Sequence, residues 1–362
     1  MKPGKMDHND IVLHETIDVI DSSKVETMQE CWRKLFFIHI LGWKLEGENV
    51  HLLFGRAWHA GLAHLYNNRL RSDSILEAVD IATSIIREFY PPSEDAAFKK
   101  KQPAILPIAF AEYVGFARNH MDHEKEVIFT EGQGAVRVLN NRIIYVKMDL
   151  VQRNPFIGNK IEMVEHKTGS AMSKNIIQGL SVKPQVPNYT HALYSIFDPD
   201  EFDSLLINLT VFRANDRVSD RFPIKFEPEN LGDWLVEQDH YLNMYEYYLN
   251  DLNETSPEDK IMSAFPRNRT ACMHYGLCPY FNICHNWPNP VKFSGVPPIG
   301  FVKEYWDPRI RDAEYEFIQG DDGKAVMKKI EKKEKPDGRP VERDAPPKNK
   351  VRSGNTDSEL LL

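Results

Sequence analysis

Apolar residues in the first third of the chain recur at three- and four-residue intervals, whereas from Glu126 they gather in short β-prone runs, so helices are expected first and a sheet after them. Val25, Met28, Trp32 and Leu35 follow Ser23-Lys24-Val25-Glu26, which has the S-x-x-E form of a capping box; an early helix carrying Cys31 is predicted. A second helix is expected over 53–69, with Gly55 and His59 on it, and a third over 74–90, ended by Pro91-Pro92 because proline lacks a backbone donor. Another should span 106–119. From Glu126 onward, β-prone runs at 126–130, 135–139, 143–151 and 160–167 are separated by Gly, Asn and Pro, the texture of a small sheet. A helix from Pro184 or Gln185 through Phe197, an apolar strand over 205–212 and a long helix over 234–252 complete the pattern. The implied fold class is α/β: a mixed central sheet flanked by helices, with a helical subregion before it and a cysteine-bearing C-terminal lobe after it.

Beyond about residue 321 the chain becomes a Lys/Glu/Pro mixture with almost no aromatics, which cannot offset its ordering entropy and is expected to be disordered. The expected organisation is a lead over 1–20, one domain over 21–300 and a C-terminal extension over 301–362. A length of 362 residues with 42% hydrophobic content suits one enzyme core with embellishments. Met1 to Asp10 is charged without an apolar core, and no run approaches the roughly 18 apolar residues that span a bilayer, so a cytoplasmic protein with no membrane partner is expected. The net charge of −8 gives no global attraction to nucleic acid; a polyanion would have to be held by a local basic groove and by bound cations.

Composition changes the picture most through the four cysteines: Cys31 stands alone, and Cys272, Cys278 and Cys284 are spaced C-x5-C-x5-C. In a reducing compartment such a set is better explained as metal or cluster ligands than as two disulfides. Four thiolates suit a structural zinc ion or a 4Fe-4S cluster, and spacing does not separate the two; His274 and His285 are close enough in sequence to serve as alternative ligands. The second candidate centre is acidic. In Val164-Glu165-His166-Lys167-Thr168-Gly169, Glu165 and Lys167 project to one side of a strand and His166 to the other. Asp149 can reach the same point if the two strands pair as a hairpin. Two carboxylates converging with a backbone carbonyl form an oxygen-rich site for Mg²⁺ or Mn²⁺, beside which a lysine can orient or deprotonate a water: a site for phosphodiester hydrolysis. Taken alone, E-x-K is more often a surface ion pair, and a lone His59 more often a hydrogen-bonded core residue.

Together these residues resemble the PD-(D/E)XK nuclease superfamily, in particular its RecB-like branch with an iron–sulfur cluster, as in the AddB helicase–nuclease subunit and CRISPR-associated and phage exonucleases. The matches run in the family's order from about Lys24 to Trp287. Cys31-Trp32-Arg33-Lys34 is similar to the family's C-P-R-K, Gly55-x-x-x-His59 to its first motif, and Glu126 opens the sheet as an acidic residue often does there. Asp149 with Glu165-His166-Lys167-Thr168-Gly169 resembles D…(D/E)-x-K-T-G, and Gln185-x-x-x-Tyr189 resembles Q-x-x-x-Y. The chain departs from the pattern at Trp32, at Val146 where a glycine is usual, and in the x5, x5 cysteine spacing where x2, x5 is common. The resemblance implies a PD-(D/E)XK core, metal held by His59, Asp149, Glu165 and the His166 carbonyl, a water positioned by Lys167, and a site oriented by Gln185 and Tyr189. It also favours a 4Fe-4S cluster on Cys31, Cys272, Cys278 and Cys284 over zinc. The expected function is a Mg²⁺- or Mn²⁺-dependent DNA exonuclease acting on single strands or DNA ends in recombination, repair or phage DNA processing, with a helicase, recombination or CRISPR-adaptation partner possible. The alternative is a catalytically weak DNA-end-binding subunit of a recombination or CRISPR-adaptation complex.

Overall fold

The computed structural model describes residues 11–309, apart from 226 and 275, together with 315–319 and 324–330. In chain order its elements begin with α1 (Ser22–Glu30), α2 (Trp32–Leu35), β1 (Trp43–Leu45), α3 (Val50–Asn67), α4 (Ile75–Arg87) and α5 (Leu106–Asn119). Next come β2 (Glu126–Arg137), β3 (Ile143–Asn154), β4 (Lys160–Gly169), α6 (Lys174–Ser181), α7 (Gln185–Ile196), β5 (Phe202–Phe212) and β6 (Arg217–Ile224). The chain then runs through α8 (Pro228–Asn253), α9 (Phe281–Asn286), β7 (Phe301–Lys303), β8 (Tyr315–Gln319) and β9 (Ala325–Lys329). Contacts divide these residues into a sheet unit (the described residues up to Glu46, Glu124–Val211 and Ser219–Lys329) and a helical unit (Gly47–His123 with Phe212–Val218).

The sheet has the order β6-β5-β4-β3-β2-β8-β9. It is mixed: β2, β3 and β4 form an antiparallel meander, while β4 pairs parallel with β5 and β2 parallel with β8. The face bearing Met148, Ile161, Met163, Leu205 and Ile207 packs on Val186, Tyr189, Ala192 and Leu193 of α7. Burying each such side chain is worth about 2 kcal/mol, so this seam fixes the helix against the sheet. α7 begins at Gln185, which leaves Pro184 just before the helix and Pro187 in its first turn, where a missing N–H breaks no helical bond.

Three local expectations are corrected. The cap of α1 is Asp21 rather than Ser23: its Oδ1 accepts from the Lys24 N–H at 2.9 Å. Cys31 is not inside a helix. It sits in an extended break (φ −166°, ψ 116°) between α1 and α2, and the Arg33 N–H leaves the helical ladder to donate to the Pro266 carbonyl at 3.1 Å. The C-terminal extension is not uniformly without structure: Ala325–Lys329, past the expected onset of disorder, pairs antiparallel with Tyr315–Gln319. Alternation supplies the reason, since Phe317, Ala325 and Met327 turn to the core. The tail from 331, to which most of that expectation applied, lies outside the described residues.

A second core joins the start of the chain to the cysteine lobe. Phe36, Phe37 and Trp43 pack with Leu252, Phe265 and Tyr280, and the Tyr280 hydroxyl donates to the Trp43 carbonyl at 2.6 Å. In the helical unit Asn49 caps α3, accepting from the N–H groups of His51 and Leu52, and Trp58 stacks on Phe110 at 4.6 Å. Among the described residues no helix is long and apolar enough to cross a membrane.

Candidate active site and cysteine centre

Backbone pairing between β3 and β4 runs from Asn154↔Lys160 to Leu150↔Val164 and then stops. A side chain takes over: Asp149 Oδ2 accepts from the His166 N–H at 2.8 Å, fixing the buried carboxylate against the strand. Glu165 and Lys167 share the face of β4 that carries Ile161 and Met163, the face covered by α7. Lys167 Nζ lies 2.6 Å from Glu165 Oε1 and donates to Gln185 Oε1 at 2.8 Å. Gln185 Nε2 donates in turn to the Tyr189 hydroxyl, one helical turn on, at 3.1 Å. Glu165, Lys167, Gln185 and Tyr189 therefore form one continuous polar line from sheet to helix. Burial alone would push the Lys167 ammonium down; the Glu165 carboxylate, with smaller help from Asp149 and Glu26, outweighs it and holds the group above its ordinary value. Lys167 is a fixed cation at neutral pH. His166 turns its buried side chain to the other face, and His59 lies on α3 of the helical unit, one turn after Gly55.

Glu131 is the residue that sequence reasoning missed. Glu131-Gly132-Gln133-Gly134 reads as a break between two short runs, yet β2 continues through it. The register brackets Glu131 opposite Asp149, since Thr130 pairs with Leu150 and Gly132 with Met148. The two side chains place carboxylate oxygens within 4.8 Å of each other. Glu131 also adopts φ +50°, a left-handed backbone that is costly for a residue with a Cβ. Like charges opposite one another destabilise a sheet. At 4.8 Å the repulsion is about 3.5 kcal/mol for an effective dielectric near 20. Lys147 pairs with Glu131 and relieves part of it; a divalent cation held by these oxygens would relieve the rest. Glu126 lies five residues earlier on the same strand, opposite Arg153 and about 17 Å along it at 3.3 Å per residue, too far to join Asp149.

The four cysteines, all free thiols, line one cavity of about 360 Å³ together with Lys34, Arg267, Phe281 and His285. The break after α1 delivers Cys31, whose sulfur accepts from the Asn268 N–H at 3.3 Å. The Cys278 N–H donates to the Cys272 carbonyl at 2.9 Å, and Cys284 follows on α9. Burial pushes the Cys278 and Cys284 thiols up, while Lys34 pulls the first down and Arg267 and Arg33 the second. A sulfur donor set ringed by cations fits a metal or cluster held as thiolates. Of the two histidines considered as alternatives, His285 lines the cavity, stacked on Phe281 at 5.6 Å, whereas His274 is exposed and not among the lining residues.

Comparison with known proteins gives the family of the chain. None of the curated proteins matches. A solved structure titled "Crystal structure of SSO0001" is similar over 53% of this chain and 84% of that one, at 10% identity and a TM-score of 0.26, a likeness too slight to carry weight. The family model for the PD-(D/E)XK nuclease superfamily, whose members are typically metal-dependent phosphodiesterases, matches residues 22–285. That span runs from α1 into α9, over sheet strands β2 to β6, Asp149, Glu165, Lys167 and all four cysteines, and the chain belongs to the PD-(D/E)XK nuclease superfamily.

Proposed function

We propose that the protein is a Mg²⁺- or Mn²⁺-dependent DNA exonuclease of the RecB-like type, acting on single strands or DNA ends in recombination, repair or phage DNA processing. The observation that carries this reading is that, at one end of the β3–β4 hairpin, Asp149 is fixed on the His166 N–H while Glu165 pairs with Lys167, which is tied to Gln185 and Tyr189. Asp149 and Glu165 would hold the cation, with Glu131 beside them; His59 and the His166 carbonyl complete the ligand set by family resemblance. The bound cation supplies charge stabilisation at the attacking and leaving oxygens. Lys167, held protonated, orients the attacking water through its N–H donors and offsets developing charge on phosphorus-bound oxygen. Gln185 fixes the lysine by accepting from it, and Tyr189 fixes the amide so that its oxygen, not its nitrogen, meets the ammonium. Substrate binding at a net charge of −8 then depends on local cations and the metal itself.

For the cysteine centre, the shared cavity of Cys31, Cys272, Cys278 and Cys284 supports one common metal or cluster. Four thiols lining one cavity suit zinc or a cluster alike, and the family resemblance is what favours the cluster. We therefore favour a 4Fe-4S cluster with a structural role. The activity is tested on linear and covalently closed circular single strands of one sequence with Mn²⁺, and on linear DNA labelled at either end. Degradation of the linear substrate alone, from one labelled end, is expected. Equal rates on both forms would leave an endonuclease instead.

A further inference from the structure

Lys183 lies in the turn between α6 and α7, two residues before Gln185. Its carbonyl accepts from the Val186 N–H at 3.0 Å, so it belongs to the first turn of the helix whose Gln185 fixes Lys167. Two residues span at most about 7 Å, which keeps the Lys183 backbone beside the Gln185–Lys167 contact. The Lys183 ammonium pairs with Glu26 of α1 and, among the described residues, with no other carboxylate. The Glu26 carboxylate is also close enough to act on the Lys167 ammonium. Solvent reaches this end of the site: the side chains of Lys167, Lys183 and Glu26 are 27%, 31% and 42% exposed, against 6% for Glu165. α6 buries none of its residues, and Val182, next to Lys183, is 80% exposed. The chain from β4 to α7 therefore borders solvent rather than core.

We propose that Lys183 is a contact for a backbone phosphate of the DNA substrate beside the hydrolytic site, and that Glu26 holds it in reserve in the free protein. The assignment rests on the nuclease reading of the acidic site. A protein with a net charge of −8 attracts a polyanion only through local cations. Lys167 is committed to Glu165 and Gln185, whereas the partner of Lys183 is exposed and exchangeable. Such an ion pair is cheap to open, because water and salt already screen it. Phosphate oxygens take the place of the carboxylate on the ammonium, a charge-assisted contact of the same kind. The displaced Glu26 carboxylate then faces a phosphate of like charge, so Glu26 opposes binding while Lys183 favours it. A tether between α1 and α7 that served only the fold would give both residues the same sign.

The test measures binding of a fluorescently labelled single-stranded oligothymidylate to the full chain by anisotropy, in chelator and again with Ca²⁺, between about 50 and 200 mM salt. Glu26→Gln should tighten binding about threefold, and Lys183→Met should weaken it about fivefold. In Lys183→Met the slope of log affinity against log salt should also fall by about 0.7, the value for one phosphate contact on a single strand. Lys183→Arg should keep both the affinity and the slope. Weaker binding in Glu26→Gln as well as in Lys183→Met, or an unchanged salt slope in Lys183→Met, overturns the proposal. Should Lys183→Met fail to fold, Lys183→Gln is compared with Lys183→Arg; equal slopes overturn it too. Failure of the nuclease reading looks different: the unaltered protein then binds no strand in either condition, and the assignment of Lys183 falls with it. Binding by the unaltered protein with equal slopes across the variants removes Lys183 alone.

Discussion

Asp149→Asn separates the chemistry of the acidic site from its stability, and the two should move in opposite directions. The Asp149 carboxylate sits within 4.8 Å of that of Glu131, a repulsion of about 3.5 kcal/mol at an effective dielectric near 20. Lys147 beside Glu131 and Lys167 beyond Glu165 screen part of it, leaving on the order of 1–3 kcal/mol against the metal-free fold. An asparagine keeps an oxygen for the His166 N–H, so the hydrogen bond, worth about 1 kcal/mol, survives while the repulsion goes. The metal-free variant should therefore be more stable than the natural protein by about 2 kcal/mol. With Mn²⁺ the order reverses, because a ligand at a hundred times its dissociation constant contributes about 2.7 kcal/mol that the variant should largely lose. Urea unfolding followed by tryptophan fluorescence, in chelator and in Mn²⁺, measures both halves. A metal-free variant less stable than the natural protein, or one that keeps the full Mn²⁺ increment, would refute the reading of these carboxylates as a metal site.

Glu165→Ala and Lys167→Ala should each abolish DNA hydrolysis, but only Glu165→Ala should lose Mn²⁺ affinity by calorimetry; wild-type turnover in either removes that residue from the machinery. Because Lys167 is held above its ordinary value of 10.5, the pH–rate profile should show no limb from it near neutrality. The sign for stability agrees: the Lys167–Glu165 pair contributes fully below pH 10.5 and is lost only as pH rises through the raised folded value, so urea midpoints in Lys167→Ala and the natural protein should converge only in strong alkali. Cys31→Ala should bleach the reconstituted protein and remove the closure of a loop from residue 31 to 272, worth about 5 kcal/mol in the loaded form. The contacts of Arg33 with Phe265 and Met262, and of Tyr280 with Trp43, remain, so the chain ends should stay docked while the unfolding midpoint falls. His59→Asp should move the metal preference from Mn²⁺ toward Mg²⁺ in a turnover assay, since imidazole is the softer ligand; an unchanged preference removes His59 from the ligand set.

What could be read from sequence was what depends on near neighbours. The i, i+2 relation of Glu165 and Lys167 and the i, i+4 relation of Gln185 and Tyr189 fix a shared face once strand and helix are recognised, and proline chemistry places the start of α7 at Gln185. The features that escaped depend on partners far along the chain. Ser23-Lys24-Val25-Glu26 has the form of a cap, but Asp21 wins because its Oδ2 also accepts from Trp306 Nε1 at 2.9 Å, a contact no local rule anticipates. The interruption of the early helix at Cys31 is set by the Pro266 carbonyl and by Asn268, both on the late segment. β8 and β9 are only five residues each and lie among charged residues, so they do not stand out, and they become strands by pairing with β2 and with each other.

Glu131 shows the same limit at the site itself. Nothing in Glu131-Gly132-Gln133-Gly134 marks an acidic ligand; the glycines look like a break, and only pairing to β3 reveals that they keep β2 continuous where bulk is excluded. A Cβ on Gly132 would lie 2.4 Å from the Phe129 ring, and one on Gly134 2.4 Å from the Phe317 carbonyl oxygen. The first approach lies within β2 and the second is to β8, the strand that pairs parallel with it, so both glycines keep the strand open where a side chain would collide. At Glu131 a carboxylate in a left-handed backbone, opposite another carboxylate, is retained against two separate costs; Lys147 offsets part of the electrostatic one, and a cation shared with Asp149 would offset more of it.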